Sequence, residues 1–338
     1  MLAASACQRP GSRAITAMGM ILEVNLFESG SGRLYARIFE RLREIELRMS
    51  AHWLETEQGG ALLFSEVAEI GRQAGVAPVR VGPDLIELLS RALFFAEISG
   101  GAFDPTIGPL TELWEAGIPG AEEIGAALRL VNWRELEVDR VAGTAFLRRP
   151  GMSLDLGGMV KGYAADEAAR LAREAGAGRA LMDFGGDIVA LGQRQSRDGA
   201  LQRLFSRRVS EDLPWRIGIQ RPFGEPGTHV AVIEARDSGI STSAAYGIHA
   251  GAGLVLSPET GMPPETGLLS VTVIAGSAAD ADGLSTAALV MGYARARAMI
   301  DSLPGVEAVF LFDNMSVRIT GALAGIFRLT SGDFSLAL

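Results

Sequence analysis

The sequence predicts an α+β fold, a mixed sheet core with flanking helices, and three observations carry that expectation. It opens with strand-like alternation followed by a long amphipathic helix. Beyond Gly151 it turns into short β-type runs separated by Gly, Pro, Asp and Ser. Helices then return among those runs in no regular alternation of strand and helix, which disfavours a doubly wound parallel sheet.

In order along the chain, Met20, Leu22 and Val24 alternate as a first strand within 19–25. Leu34, Ile38, Leu42 and Ile45 recur at helical spacing across 33–49. A second helix spans 83–98, with Pro83 at its start and Gly100-Gly101 stopping it, and a third spans 121–130. Strands are expected at 180–182, 188–191, 215–219, 230–235 and 269–275, helices at 159–175 and 278–291, and closing strands at 306–312 and 316–320. Residues 193–214 are rich in Arg and Ser and lack apolar periodicity, so they read as an exposed insertion. No composition break marks a linker, and 18–338 is expected to form a single domain.

Residues 1–17 are expected to be a flexible terminus. Leu2-Ala3-Ala4-Ser5-Ala6-Cys7 is similar to the tail of a bacterial lipoprotein signal, in which small residues precede an acylated Cys, although a basic start and a full apolar region are missing. A stray surface Cys is the alternative reading. Anchorage through Cys7 would put the protein in the periplasm or cell envelope, and the cytoplasm is the expectation if the terminus is complete.

The formal charge of -9, with acids and bases interspersed, argues against a nucleic-acid partner, which needs a clustered basic face. No apolar stretch approaches the roughly 20 residues of a membrane span, which leaves a membrane role to the lipid anchor alone. With one cysteine there is no intrachain disulfide framework, and no zinc or iron-sulfur cluster built on thiolates.

Three segments carry chemistry. Ser153 to Asp166, SLDLGGMVKGYAAD, reads as a strand end, a double glycine and a helix start, where free N–H groups and the helix dipole attract phosphate and Lys161 adds a charge. A glycine turn with a solvated lysine explains it equally well. Ala281 to Gly292, ADGLSTAALVMG, places Asp282, Ser285 and Thr286 on one helix face, hard oxygen ligands suited to magnesium, while a simple N-cap aspartate is the plainer account. Gly101 to Leu110, GAFDPTIGPL, is a turn-rich loop in which Phe103 could cover a flat ligand and Asp104 bond its edge. A buried Phe beside an Asx-turn is the alternative. DFGGDI at Asp183 to Ile188 and STSAAY at Ser241 to Tyr246 are further Gly- and hydroxyl-bearing turns or strand ends.

In this order, together with WRIGIQRP and SPETGMP, these segments resemble the FAD:protein FMN transferases, the ApbE family, formerly called thiamine-biosynthesis lipoproteins. The resemblance runs from about Met18 to Gly292. It implies a largely antiparallel sheet and a magnesium-dependent transfer of FMN from FAD to a Thr or Ser hydroxyl of a client flavoprotein, such as a redox-pump subunit, with release of AMP. It assigns Met18, Ala102, Phe103, Asp104, Asp155, Gly157, Gly158, Lys161 and Leu254 to FAD, with Lys161 also in catalysis. The Val160 carbonyl, Asp282, Ser285 and Thr286 are assigned to Mg2+. There is one departure. Family members usually carry a His four residues before the Pro of P-x-T-G and an Asp just before that Pro, and here those places hold Leu254 and Ser257. That His is thought to assist the attacking hydroxyl. His249 is the nearby candidate replacement, and a hydrogen-bonded structural His is the competing account. A flavin-binding or delivery protein without catalysis, and an FAD pyrophosphatase, are the alternatives the departure raises.

Overall fold

The computed structural model describes residues 11–27, 32–51, 54–55, 62–63, 65–195, 212–225, 227–246 and 254–337. Cys7 and His249, and most of the expected insertion, lie outside them. Nine strands form the main sheet in the order Ser12–Ala17, Met20–Leu26, Ala180–Phe184, Asp187–Leu191, Ser238–Ala244, Leu268–Ala275, Glu307–Phe312, Ser316–Ile319 and Ser335–Leu336. Every pairing in it is antiparallel except the last, so the sheet is largely antiparallel and mixed.

Both faces of this sheet are covered, which the central strands record in their composition. In Glu307–Phe312, Ala308 and Phe310 face the helices, whereas Val309 and Leu311 face a second sheet of Trp215–Gln220, His229–Ala235 and Phe327–Leu329. An unbroken apolar run is the expected signature of a strand buried on both sides. On the helical face, Gly32–Met49 lays Leu34, Ile38, Leu42, Ile45 and Met49 on the core at the spacing of one helix stripe. Helix Pro83–Ser99 begins on Pro83 and ends at Gly100, whose φ of 67° closes the last turn in a left-handed conformation. Helix Ala278–Met291 is buried nearly all round because it lies between the sheet and helix Gly157–Glu174.

Some expectations need correction. Residues 12–17, expected within a flexible terminus, form an edge strand: Ser12 to Ala17 pair with Asn25 to Met20, and Ser12 Oγ donates to Glu23. Their weak alternation hides a strand whose stability comes from its partner. Residues 153–156 are not a strand end. They are irregular, and the Asp155 N–H donates to the Pro105 carbonyl. The helix starts two residues earlier than its apolar pattern suggests, so Gly157 and Gly158 form its first turn. The base of the expected insertion is a two-residue ribbon, Arg194–Gln195 on Asp212–Leu213. Among the described residues no helix is long and apolar enough to cross a membrane.

Candidate active site

One end of the main sheet gathers the chemistry. Because Phe184 pairs with Asp187 and Ile188 with Ile240, the Gly185-Gly186 turn and the second half of Ser238–Ala244 lie at the same end. Both turn glycines adopt positive φ, 70° and 99°, which lets the hairpin reverse in two residues. Helices Gly157–Glu174 and Ala278–Met291 cross above this end at a very short approach. A β-carbon on Gly162 would stand 2.3 Å from the Ala278 carbonyl oxygen, and one on Gly239 would stand 2.1 Å from the Ala278 nitrogen. Glycine is required at both places by contact with backbone, which cannot step aside.

That crossing brings Lys161 to Asp282. The ammonium stands 3.2 Å from Asp282 Oδ2 and 3.4 Å from Asp187 Oδ2, and it donates to the Gly157 carbonyl at 2.7 Å. The lysine side chain is 24% exposed and each carboxylate 4%, so solvent reaches the cation and hardly touches the acids. Burial works against the charged lysine, but the two carboxylates outweigh it and hold the ammonium above its usual range. Burial and then the charge of Asp187 push Asp282 up to about 7, against the pull of Lys161.

Hydroxyls continue the cluster. Ser285 Oγ donates to the Asp282 carbonyl at 3.0 Å and lies 2.8 Å from Ser243 Oγ, which is 3.1 Å from Thr286 Oγ1. Ser241 donates to Asp187. Gly158 leaves room for this packing, since a β-carbon there would be 3.2 Å from both Phe103 Cε2 and Thr286 Oγ1. Of the residues expected to meet a metal, Asp282, Ser285 and Thr286 lie together with Lys161 and Gly158. Asp282 offers a carboxylate and Thr286 a hydroxyl, and Val160 lies in the first turn of the lysine helix. Ser285 is wholly buried and already bonded, leaving a lone pair at most. Two carboxylates against one ammonium leave an excess negative charge, and with these hard oxygens the set fits Mg2+.

Other expected residues play different parts in this structure. The Phe103 ring is 5% exposed and packs edge-on against Phe95 in the core, centroids 6.1 Å apart, so it does not lie open to cover a ligand. Asp104 spends its carboxylate on the loop, accepting from Thr106 N and Oγ1 at 2.8 and 2.7 Å and from Trp133 N at 3.0 Å. Asp155 accepts from the Gly157 N–H at 2.7 Å, so it occupies one of the donors a phosphate would use. Met18 sits in the turn before Met20–Leu26 with φ 53° and donates its N–H to Glu46. Ala102 lines a cleft of about 240 Å³ with Gly101, Asp104, Arg134, Ser257 and Arg295, which joins the loop after Ser99 to the segment following Leu254. Leu254 itself is half-buried against the small apolar cluster of Leu110, Ile124, Ala127 and Leu256.

Asp104 supports a direct prediction. Asp104→Ala removes three buried acceptor contacts and should lower stability by about 2 to 4 kcal/mol, read in urea unfolding. A ligand-facing Asp104 would instead cost binding with little change in stability.

Asp187, Ser241 and Ser243 were not among the sequence-derived site residues. Their motifs, DFGGDI and STSAAY, were visible, but strand pairing between distant segments is what aims them at Lys161 and Thr286.

Comparison with known proteins gives the family and the fold. The ApbE family profile matches residues 18–310, and the chain belongs to that family. A relative from Treponema pallidum, named FAD:protein FMN transferase, is 32% identical over 351 residues, covering 97% of this chain and 91% of the relative. The crystal structure of the ApbE protein from Thermotoga maritima superposes with a TM-score of 0.76 at 27% identity, covering 94% of this chain and 99% of that one. The flavin transferase ApbE from Vibrio cholerae shares the fold, with a TM-score of 0.73 at 24% identity, covering 96% and 97%.

Proposed function

We propose that this chain is a magnesium-dependent FAD:protein FMN transferase. In this reaction a Thr or Ser hydroxyl of a client protein bonds to the FMN phosphorus while the pyrophosphate P–O bond breaks, and AMP leaves. The observation that carries this reading is the meeting of Asp282 and Thr286 with Lys161 and the Gly157-Gly158 turn. These are oxygen ligands and a cation set at the start of a helix. Family membership supports it independently.

The residues divide the work by charge. The Gly158 N–H, at the positive end of its helix, and Lys161 would receive the pyrophosphate oxygens. Without further cations this is a poor anion site, because Asp187 and Asp282 together exceed the charge of Lys161. Mg2+ held by Asp282, Thr286 and the Val160 carbonyl would supply the missing positive charge and stabilise the leaving phosphate. Ser241 and Ser243 hold Asp187 and the Ser285–Thr286 pair in place from the strand side. No covalent intermediate on the protein is needed.

Lys161→Ala should weaken FAD binding about tenfold or more, since a hydrogen bond from a charged group is typically worth about 1.5 to 3 kcal/mol. Calorimetry showing unchanged affinity would remove the phosphate role from this turn. Function is tested by incubating the protein with FAD, Mg2+ and a Thr-containing client peptide, then reading peptide mass and AMP. Labelled peptide with AMP supports the transferase. The apolar setting of Leu254 favours a second reading, a flavin carrier lacking a base, which would bind FAD and release nothing. AMP without labelled peptide would identify a pyrophosphatase.

A further inference from the structure

We propose that Asp166 is a positioning residue for this reaction, clamping helix Ala278–Met291 to helix Gly157–Glu174 in the one register that brings Asp282 and Thr286 to the glycine turn. The proposal rests on the transferase reading for the identity of the ligands, and on the following geometry for the clamp.

An α-helix leaves its first four N–H groups without partners inside the helix. In helix Ala278–Met291 the N–H groups of Ala278, Ala279 and Asp280 are satisfied, and from two different sources. Ser277, its own N-cap, takes Asp280 N–H on its hydroxyl at 3.1 Å, while its carbonyl accepts the first bond of the helix proper from Ala281 N–H at 3.1 Å. Asp166, reaching across from the other helix, takes Ala278 and Ala279 N–H at 2.9 Å each, one on each carboxylate oxygen. Two of these three groups are therefore capped from outside. A local cap such as Ser277 stabilises the helix wherever it lies, whereas a cap from a neighbouring helix also fixes where it lies.

The same two helices touch again one turn further on, where Gly162 N–H donates to Asp282 Oδ2 at 3.3 Å and Lys161 pairs with that carboxylate. Asp166 lies five residues after Lys161 on one helix, and Ala278 four residues before Asp282 on the other, so the clamp and the site are adjacent contacts along one seam. No side chain at Gly162 holds the helices apart, and the second contact is made by Asp282 itself, the residue proposed to hold the metal. Asp166 makes a tie at this seam that does not involve Asp282 and so does not depend on which partner Asp282 takes. Arg91 pairs with Asp280 on the outer side of the same turn and helps neutralise the aspartates there.

The test compares Asp166→Asn, Asp166→Glu and Ser277→Ala with the parent. Asn keeps the size but turns one acceptor into a donor facing an N–H, Glu keeps the charge with a longer reach, and Ser277→Ala removes the local cap only. Three quantities are read: thermal stability, FAD affinity in EDTA, and the Mg2+ concentration that half-saturates its enhancement of FAD affinity. A group that orients metal ligands is typically worth about 10- to 100-fold in metal affinity. Asp166→Asn should therefore raise the half-saturating Mg2+ at least about tenfold while FAD affinity in EDTA stays within about twofold, with Asp166→Glu intermediate. Ser277→Ala should lose stability and keep the parental Mg2+ value. If Asp166→Asn does not fold, the Asp166→Glu variant carries the same comparison. Equal Mg2+ half-saturation in parent and Asp166 variants, with stability alone reduced, would overturn the proposal and leave the transferase reading untouched. A parent that shows Mg2+-linked FAD binding but neither AMP release nor peptide labelling would remove the transferase reading, and the Mg2+ comparison would still decide Asp166.

Discussion

Asp282→Asn is expected to end magnesium-dependent AMP release and, at the same time, to make the protein more stable at pH 8. The two effects share one cause. Asp282 is buried beside Asp187, and burial and that neighbouring charge push its carboxyl up from the ordinary 3.8 to about 7. A group whose folded pKa is raised binds a proton more tightly when folded, so its contribution favours folding at low pH and is lost as pH climbs from about 4 through 7. Asparagine has no charge to bury, and in the variant Lys161 keeps Asp187 as a balanced partner. Thermal unfolding in EDTA should then give variant and parent similar midpoints near pH 4 and a variant advantage that grows up to pH 7 and stays constant above it. Losing the carboxylate proposed to hold the metal should cost roughly 10²- to 10³-fold in AMP release or more, the size usual for removing a single electrostatic stabiliser. Stability bought at the expense of activity is the ordinary signature of a site that holds unfavourable charge for use. Parallel stability profiles would show that Asp282 is comfortably ionised by Lys161 alone, and retained AMP release would remove it from the reaction.

The same cluster shows what a sequence can and cannot disclose. Spacing alone puts Asp282 and Thr286 one helical turn apart on one face, and a glycine pair before a lysine marks a helix start, so both halves of the site were legible. Helix Gly32–Met49 and the strands from Ala180 onward were legible for the same reason, since each carries its own periodicity. What spacing does not disclose is how distant elements meet. Asp187 and Ser241 are 54 positions apart, and they touch only because two strands pair antiparallel in a particular register. Asp166 reads as one more polar residue on a helix until the start of another helix is seen resting on it. Asp104 and Phe103 illustrate the opposite case. Their types suit a flavin, and spacing does not disclose that the carboxylate also accepts three bonds within its own loop region or that the ring packs on Phe95. Residues 12–17 were missed because an edge strand borrows its order from its neighbour.

Leu254→His is expected to accelerate FMN transfer to a Thr-containing peptide by about 10²- to 10⁴-fold, the usual value of a positioned general base, provided no other group already serves. The structure explains why leucine is tolerated there. Its side chain completes an apolar patch with Leu110, Ile124 and Leu256 beneath the turn in which Ser257, at the position where the family usually has Asp, accepts N–H groups from Glu259 and Thr260. Trp114 ties the same turn from the other side through the Gly261 carbonyl. A histidine placed at 254 would give up part of that burial, at a stability cost of about 1 to 3 kcal/mol, and would gain a titrating nitrogen on the half-exposed side of the patch. The rate gain should therefore appear with an inflection near neutral pH and a lower unfolding midpoint, two changes that a repacking effect alone would not produce together. His249 makes the competing prediction. If it has taken over the base, the parent is already fast, His249→Ala removes most of the activity together with the neutral inflection, and Leu254→His adds little. Transfer measured across pH for the parent and both variants separates the cases. A parent that binds FAD and Mg2+ yet labels no client, with Leu254→His equally silent, would mean that the chain has kept the flavin site and given up the transfer.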